Sequence, residues 1–179
     1  MIPIQTIHRY GITLRPVEVS DAEFILKLRT DERLGQFLSV TSPDLEQQQE
    51  WIRGYKEREA IGKEYYYIAE KDGAAYGTIR TYKIGEDWFE GGSWLFSPDA
   101  PVGMSILADI INREFAFEVL DKSVNCFEVR RLNQAVVKYQ RGYRPIQVAE
   151  DELNYYFILT RRQFAKYKQR YLKLLGFQA

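Results

Sequence analysis

The sequence is short of the residues that build metal centres and disulfide frameworks. Its 179 residues include one cysteine and one histidine. A single thiol excludes an internal disulfide framework and every multi-thiolate zinc site, and a single imidazole leaves no His-based metal set. Net charge is missing too, since 25 Lys and Arg balance 25 Asp and Glu. That balance argues against duplex nucleic acid or an anionic membrane held by bulk electrostatics. No apolar run approaches the ~18 residues of a membrane span, and the N-terminus carries no signal-peptide pattern. What is present is core material: 45% of the residues are hydrophobic and 15% aromatic. A chain of this length buries a core of its own. The expectation is one cytoplasmic domain over residues 1–179, with no metal, nucleic acid or membrane partner and with a homodimer left open.

Periodicity and turn chemistry order the elements. Ile12 to Val17 reads as a strand with Pro16 near its exit. Ser20-Asp21-Ala22-Glu23 has the form of a capping box, followed by Phe24, Ile25 and Leu28 at helical spacing. Residues 31 to 42 lack a period. Ser42-Pro43-Asp44 opens a mostly polar helix with Leu45, Trp51, Ile52 and Tyr55 on one narrow stripe. Tyr65–Glu70 and Tyr76–Ile84 flank Asp72-Gly73, a strong hairpin signal, and Trp88–Ser97 completes a meander. A helix runs from about 104 to 119, marked by Leu107, Ile110, Ile111, Phe115 and Val119. A strand at Val124–Val129 follows, then a short helix from Asn133 to Arg141 with Gly142 as a left-handed cap. Leu153–Thr160 is a strand, and Phe164, Tyr167, Tyr171, Leu174 and Leu175 mark a last helix. The pattern is α+β, with a mixed, largely antiparallel sheet of about six to seven strands and four to five helices.

Several local motifs, taken in this order, resemble the GCN5-related N-acetyltransferase (GNAT) superfamily over nearly the whole chain. Ile12-Thr13-Leu14-Arg15-Pro16 with Asp21-Ala22 and Leu28-Arg29 resembles the opening strand and helix. Tyr66 to Glu70, Asp72-Gly73 and Gly77-Thr78-Ile79 resemble the next two strands. Glu90-Gly91-Gly92-Ser93-Trp94-Leu95 with Ser97-Pro98 resembles the strand that leads to the cofactor, and Asn133-Gln134-Ala135, Tyr139 and Gly142-Tyr143 resemble the late helix. Asp151 to Phe157, Leu159-Thr160 and Phe164 are most similar to the branch that acetylates amino-sugar nucleotides, and the opening is shared with ribosomal-protein acetyltransferases.

The resemblance implies acetyl-CoA as acetyl donor. It implies that backbone groups near Leu95, Phe96 and Ser97 hold the pantetheine arm in a gap between the 88–97 and 124–129 strands. It also places the pyrophosphate on the amides of Val102, Gly103, Met104 and Ser105, at the start of the following helix. The helix dipole and unpaired N–H groups favour an anion there. This segment departs from the family pattern: it has one Gly, no basic lead residue, Pro101 without an amide, and Asp99 near two phosphates. An ordinary helix start remains an alternative.

Acetyl transfer needs an amine without its proton, a stabilised oxyanion, and a proton for the leaving thiolate. Tyr139 is the candidate general acid; it stands three residues before Gly142, where the family usually places its Tyr four before, and it also fits plain packing. Glu90 is the candidate base, with an ion pair to Lys as the alternative, and Glu128 is second. Asn133 caps its helix or approaches the cofactor. Arg33 and Arg130, with Arg131, are candidates for a nucleotide diphosphate, whereas Glu150-Asp151-Glu152 suits a cationic amine or peptide. His8 reads as surface and Cys126 as core. The basic last helix reads as a solvated face rather than an RNA surface. The leading function is N-acetylation of a nucleotide-linked amino sugar. The rivals are a protein N-terminal acetyltransferase and a non-catalytic module on the same fold.

Overall fold

The computed structural model describes residues 2–38 and 41–177. Eight strands form one sheet among the described residues: β1 (Ile7–Arg9), β2 (Ile12–Pro16), β3 (Tyr65–Lys71), β4 (Ala74–Tyr82), β5 (Trp88–Phe96), β6 (Val124–Arg130), β7 (Ile146–Glu150) and β8 (Asn154–Thr160). Their order across the sheet is β1-β2-β3-β4-β5-β6-β8-β7. Six helices accompany them: α1 (Ala22–Thr30), α2 (Glu32–Gly35), α3 (Leu45–Ala60), α4 (Met104–Glu114), α5 (Gln134–Arg141) and α6 (Arg161–Leu174). The mixed α+β architecture matches the expectation, with β1 and β7 added at the two edges.

β3 shows why its run of apolar residues does not alternate. Tyr65, Tyr67 and Ala69 point into the core built with α4, the turn after it, and α6, whereas Tyr66 and Ile68 point into a smaller core with α1 and α3. A strand covered on both faces is apolar at every position. Asp72 and Gly73 both adopt positive φ, as the tight β3–β4 hairpin requires. On α3 the buried residues are Gln48, Ile52, Tyr55 and Glu59, spaced by four, three and four. This is the narrow stripe expected of a polar surface helix. Asp44 caps it by accepting the Gln47 N–H at 3.1 Å.

Four local expectations change. The entry to α1 is a 3-10 turn over Val19–Asp21 rather than a box begun by Ser20. Asp21 accepts the Glu18 N–H at 2.8 Å and two bonds from Arg15, so its carboxylate organises the turn from the other end. The helix expected to run to 119 stops being α-helical at Glu114 and widens into a π-turn over Phe115–Val119. His8 is exposed, as expected, but instead of preceding the first strand it lies within β1, where its Nδ1 is 2.9 Å from Thr13 Oγ1. Gly142 is not left-handed: its φ is −62° and ψ is −23°. A Cβ at Gly142 would lie 1.8 Å from the Tyr171 hydroxyl, so close approach explains the glycine.

Candidate functional site

β5 and β6 run parallel and pair at Trp88–Val124, Phe89–Asn125 and Glu90–Cys126. Beyond Glu90 the two strands part. The cause lies in Gly91-Gly92-Ser93. Against β4 the register slips so that Thr78 faces Leu95 while Arg80 faces Gly92, leaving an extra residue on β5. Such a bulge bends its strand and strengthens the local twist. Ser93 takes a left-handed φ of 47° there, and Thr78 Oγ1 donates to its carbonyl at 2.6 Å. Gly92 allows the Tyr82 ring to close in, since a Cβ would stand 2.7 Å from that ring.

The parting strands enclose a cleft of about 640 Å³. Gly91–Trp94 form one wall and Phe127–Arg130 the other. Arg29 of α1 and Trp51 of α3 reach it from one face of the sheet, and Asp109 and Arg113 of α4 from the other. Because β6 no longer faces β5 past Glu90, the backbone of Gly91–Phe96 on that side has no strand opposite it.

α4 follows β5 after the loop of residues 97–103. Gly103 is its N-cap in the left-handed region at φ 81°, and no side chain caps the helix. Gly103 also leaves room for Leu175, whose Cδ2 would lie 2.2 Å from an added Cβ. The Met104 N–H is taken by the Pro101 carbonyl at 3.0 Å. The Ser105 carbonyl accepts the Trp94 indole at 2.8 Å, which ties the helix start to β5. The uncapped amides beside Met104 are donors of the kind that bind anions at helix N-termini.

A polar cluster lies under the cleft between α4 and α5. Tyr139 donates to Asp109 Oδ2 at 2.7 Å and meets the Tyr143 hydroxyl at 3.0 Å. Arg113 Nε is 3.4 Å from Asp109 Oδ1, and its Nη2 donates to Gln140 at 2.7 Å. Phe127 and Tyr143 pack on the guanidinium at 5.3 and 4.9 Å. Burial pushes the Asp109 carboxyl up, against the pull of Arg113 and of the Tyr139 hydrogen bond. Burial and the Asp109 charge together hold the Tyr139 phenol well above its ordinary value.

A strand pair that opens beside an uncapped helix start is the frame expected from the sequence motifs. The family model for the acetyltransferase (GNAT) domain matches residues 12–163. The chain belongs to the GNAT acetyltransferase family. It is similar to the structure of apo FdhC, described as a nucleotide-linked sugar GNAT. The two share 31% identity and a TM-score of 0.84, over 98% of this chain and 99% of that one. The Campylobacter jejuni N-acetyltransferase PseH shares the fold at 21% identity and a TM-score of 0.64, over 84% of this chain and 99% of that one. So does the ribosomal-protein-S5-alanine acetyltransferase of Vibrio fischeri, at 13% identity and a TM-score of 0.74, over 88% and 97%. No curated protein sequence matches.

The acetyltransferase brings some of the expected residues to the cleft and leaves others outside it. Arg130 and Glu128 line it, and so does Asn133, which caps α5 by accepting the Val136 N–H at 3.2 Å. Leu95 and Phe96 close β5, and Ser97 follows it with its N–H turned back to the Tyr76 carbonyl at 2.7 Å. Of the amides Val102 to Ser105, Met104 is withdrawn by Pro101, and Val102 is fully exposed. Tyr139 lies behind Asp109, the member of that pair on the cleft wall. Glu90 does not line the cleft; Lys83 holds its carboxylate at 3.0 Å. Arg33 stands exposed on α2, 3.9 Å from Asp31, and is not among the lining residues. Residues 39 and 40, within the 31 to 42 stretch that lacks a period, lie outside the described residues. Sequence reasoning missed Arg29, Arg80, Asp109 and Arg113, four lining residues that carry charge. In sequence each is an ordinary charge within a strand or helix, and only packing brings them together.

Proposed function

We propose that the protein transfers an acetyl group from acetyl-CoA to the amine of a nucleotide-linked amino sugar. The charge of the cleft carries this reading. Four arginines (Arg29, Arg80, Arg113 and Arg130) line it against two carboxylates, Asp109 and Glu128. Arg113 is paired to Asp109, and Arg80 lies 3.5 Å from Glu64, a carboxylate that Arg58 already holds, so arginines still outnumber carboxylates around the cleft. A positive cleft attracts an acceptor bearing phosphates and repels a polyamine or a basic peptide. The acidic residues 150–152 are not among those lining the cleft, and Asp151 is engaged in its own turn. That carboxylate accepts the N–H groups of Leu153 and Asn154 and the Tyr156 hydroxyl, at 2.7–2.8 Å. The 31% identity to FdhC supports the same acceptor class.

The residues present fit a CoA thioester. The uncapped start of α4 at Gly103–Ser105 suits the pyrophosphate, and the unpaired edge of β5 suits the amides of the pantetheine arm. When bound, acetyl-CoA supplies the activated acyl group. Glu128 is the carboxylate placed on the cleft wall to take a proton from the amine, directly or through water. Asp109, whose protonated form burial favours, is the group on the cleft wall that passes a proton to the leaving sulfur. Tyr139 behind it acts through that carboxyl, its hydrogen bond to Oδ2 at 2.7 Å stabilising the carboxylate left by the transfer. CoA release followed with a thiol reagent, across amino-sugar nucleotides, polyamines and N-terminal peptides, tests the reading. Turnover confined to the peptides or polyamines sinks it.

A further inference from the structure

The acceptor face of the cleft holds an arginine whose buried Nε has no hydrogen-bond partner among the described residues. Arg80 lies on β4 with the rings of Tyr82, Trp51 and Tyr66 at 4.4, 5.3 and 5.8 Å from its guanidinium carbon. Aromatic faces hold the planar group in one orientation and leave its edges for hydrogen bonds. Those edges are poorly used. Arg80 Nε is buried and makes no hydrogen bond among the described residues. Nη1 is 3.5 Å from Glu64 Oε2, an oxygen that is itself without a hydrogen bond. The other Glu64 oxygen is taken by Arg58 at 3.0 Å. Buried donors are nearly always paired, so an exception inside a cleft points to a missing ligand.

Arg29 of α1 lines the same cleft. Its Nε donates to Thr41 at 2.8 Å, which fixes the side chain, and its terminal nitrogens have no hydrogen-bond or ion-pair partner among the described residues. Two planar forks from separate elements, fixed in place and short of acceptors, match the several oxygens of a phosphate chain better than a single carboxylate. Arg80 packs with Tyr66 and Trp51 on the α1–α3 face, across the sheet from α4. A phosphate chain held on this face would be the acceptor's, since that of CoA is assigned to the start of α4 on the other.

We propose that Arg80 and Arg29 form an oxyanion subsite for the diphosphate of the nucleotide-linked acceptor. The inference rests on the acceptor class proposed above and assigns the residues that read it. The test is calorimetric titration of the whole protein with uridine diphosphate, thymidine diphosphate and inorganic pyrophosphate, beside kinetics with amino-sugar nucleotides. Arg80→Gln and Arg29→Gln should each weaken nucleoside diphosphate binding by about tenfold or more. Each should raise the acceptor KM to match while leaving the acetyl-CoA KM unchanged. Arg80→Lys should restore only part of the loss, because an ammonium cannot reproduce the fork. A purely structural arginine would lower Tm without this split between the two substrates. If Arg80→Gln does not fold, Arg29→Gln carries the test alone. Wild-type affinity and acceptor KM in the folded variants would overturn the subsite even if amino-sugar nucleotides are acetylated. Arginine-dependent diphosphate binding without such acetylation would instead uphold the subsite and refute the amine.

Discussion

Replacing Gly142 by alanine tests how the Tyr139 corner is built. Backbone strain does not enter, because Gly142 has right-handed dihedral angles. The new methyl meets the Tyr171 hydroxyl at 1.8 Å and the Tyr139 carbonyl at 3.0 Å. Tyr171 must move, and its 2.7 Å hydrogen bond to the Tyr139 carbonyl breaks. Overpacking costs about 1–3 kcal/mol, and the lost bond about 1 kcal/mol. Alanine regains up to about 1 kcal/mol of helix propensity. The net loss is about 1–3 kcal/mol, a fall in Tm of roughly 3–10 °C for a chain of this size. Thermal unfolding followed by circular dichroism measures it. Gly142→Asn should be worse than alanine, whereas a left-handed cap would favour Asn. Tyr171→Phe in the Gly142→Ala background should recover part of the loss by removing the oxygen in the way. An unchanged Tm for the alanine variant, or asparagine outranking alanine, would refute the close-approach argument.

Tyr139→Phe should lower turnover by about 10²-fold with the acetyl-CoA KM near wild type; equal activity in steady-state assays would remove the hydroxyl from the mechanism. Glu128→Gln should abolish the acidic limb of the rate–pH curve, whereas Glu90→Gln should keep it and merely free Lys83 from its ion pair; the reverse pattern would make Glu90 the base. Acetyl-CoA should raise Tm in proportion to RT ln(1 + [L]/Kd), and Gly103→Pro should remove that shift at the uncapped start of α4. Burial first and the bond to Glu114 second raise the Tyr10 phenol to about 12 from its ordinary 10.0. Stability from the Tyr10–Glu114 contact is therefore complete below pH 10 and lost as pH rises through about 12. Tyr10→Phe should flatten that part of an alkaline unfolding profile.

The parts of the fold that were readable from sequence are those fixed by local chemistry. Asp72-Gly73 demands a tight turn, and α3 repeats its buried positions at helical spacing. β7 was not readable because all five of its residues are exposed, so no alternation marks an inner face. The π-turn at Phe115–Val119 keeps an apolar run going at nearly helical spacing, and it passes for more α-helix. Gly142 carries the same letter whether it is needed for its φ or for the room it leaves. The site divides in the same way. Gly91-Gly92-Ser93 and Gly103 mark the strand parting and the helix start, because backbone geometry leaves small residues behind. Arg80, Asp109 and Arg113 leave no such trace; Trp51, Tyr139 and Gln140, which help to define their roles, stand 27 to 30 residues away from them in the chain.

The claim that the cleft acetylates a nucleotide-linked amino sugar is met most directly by mass spectrometry of reaction mixtures. Wild-type protein, acetyl-CoA and amino-sugar nucleotides are incubated together, with a polyamine and an N-terminal peptide as competitors in the same tube. The account predicts that the nucleotide-linked sugar gains one acetyl group, and that the gain slows when Arg80 is replaced by glutamine. Acetyl appearing on the peptide or the polyamine while the sugar nucleotide stays unmodified would contradict it.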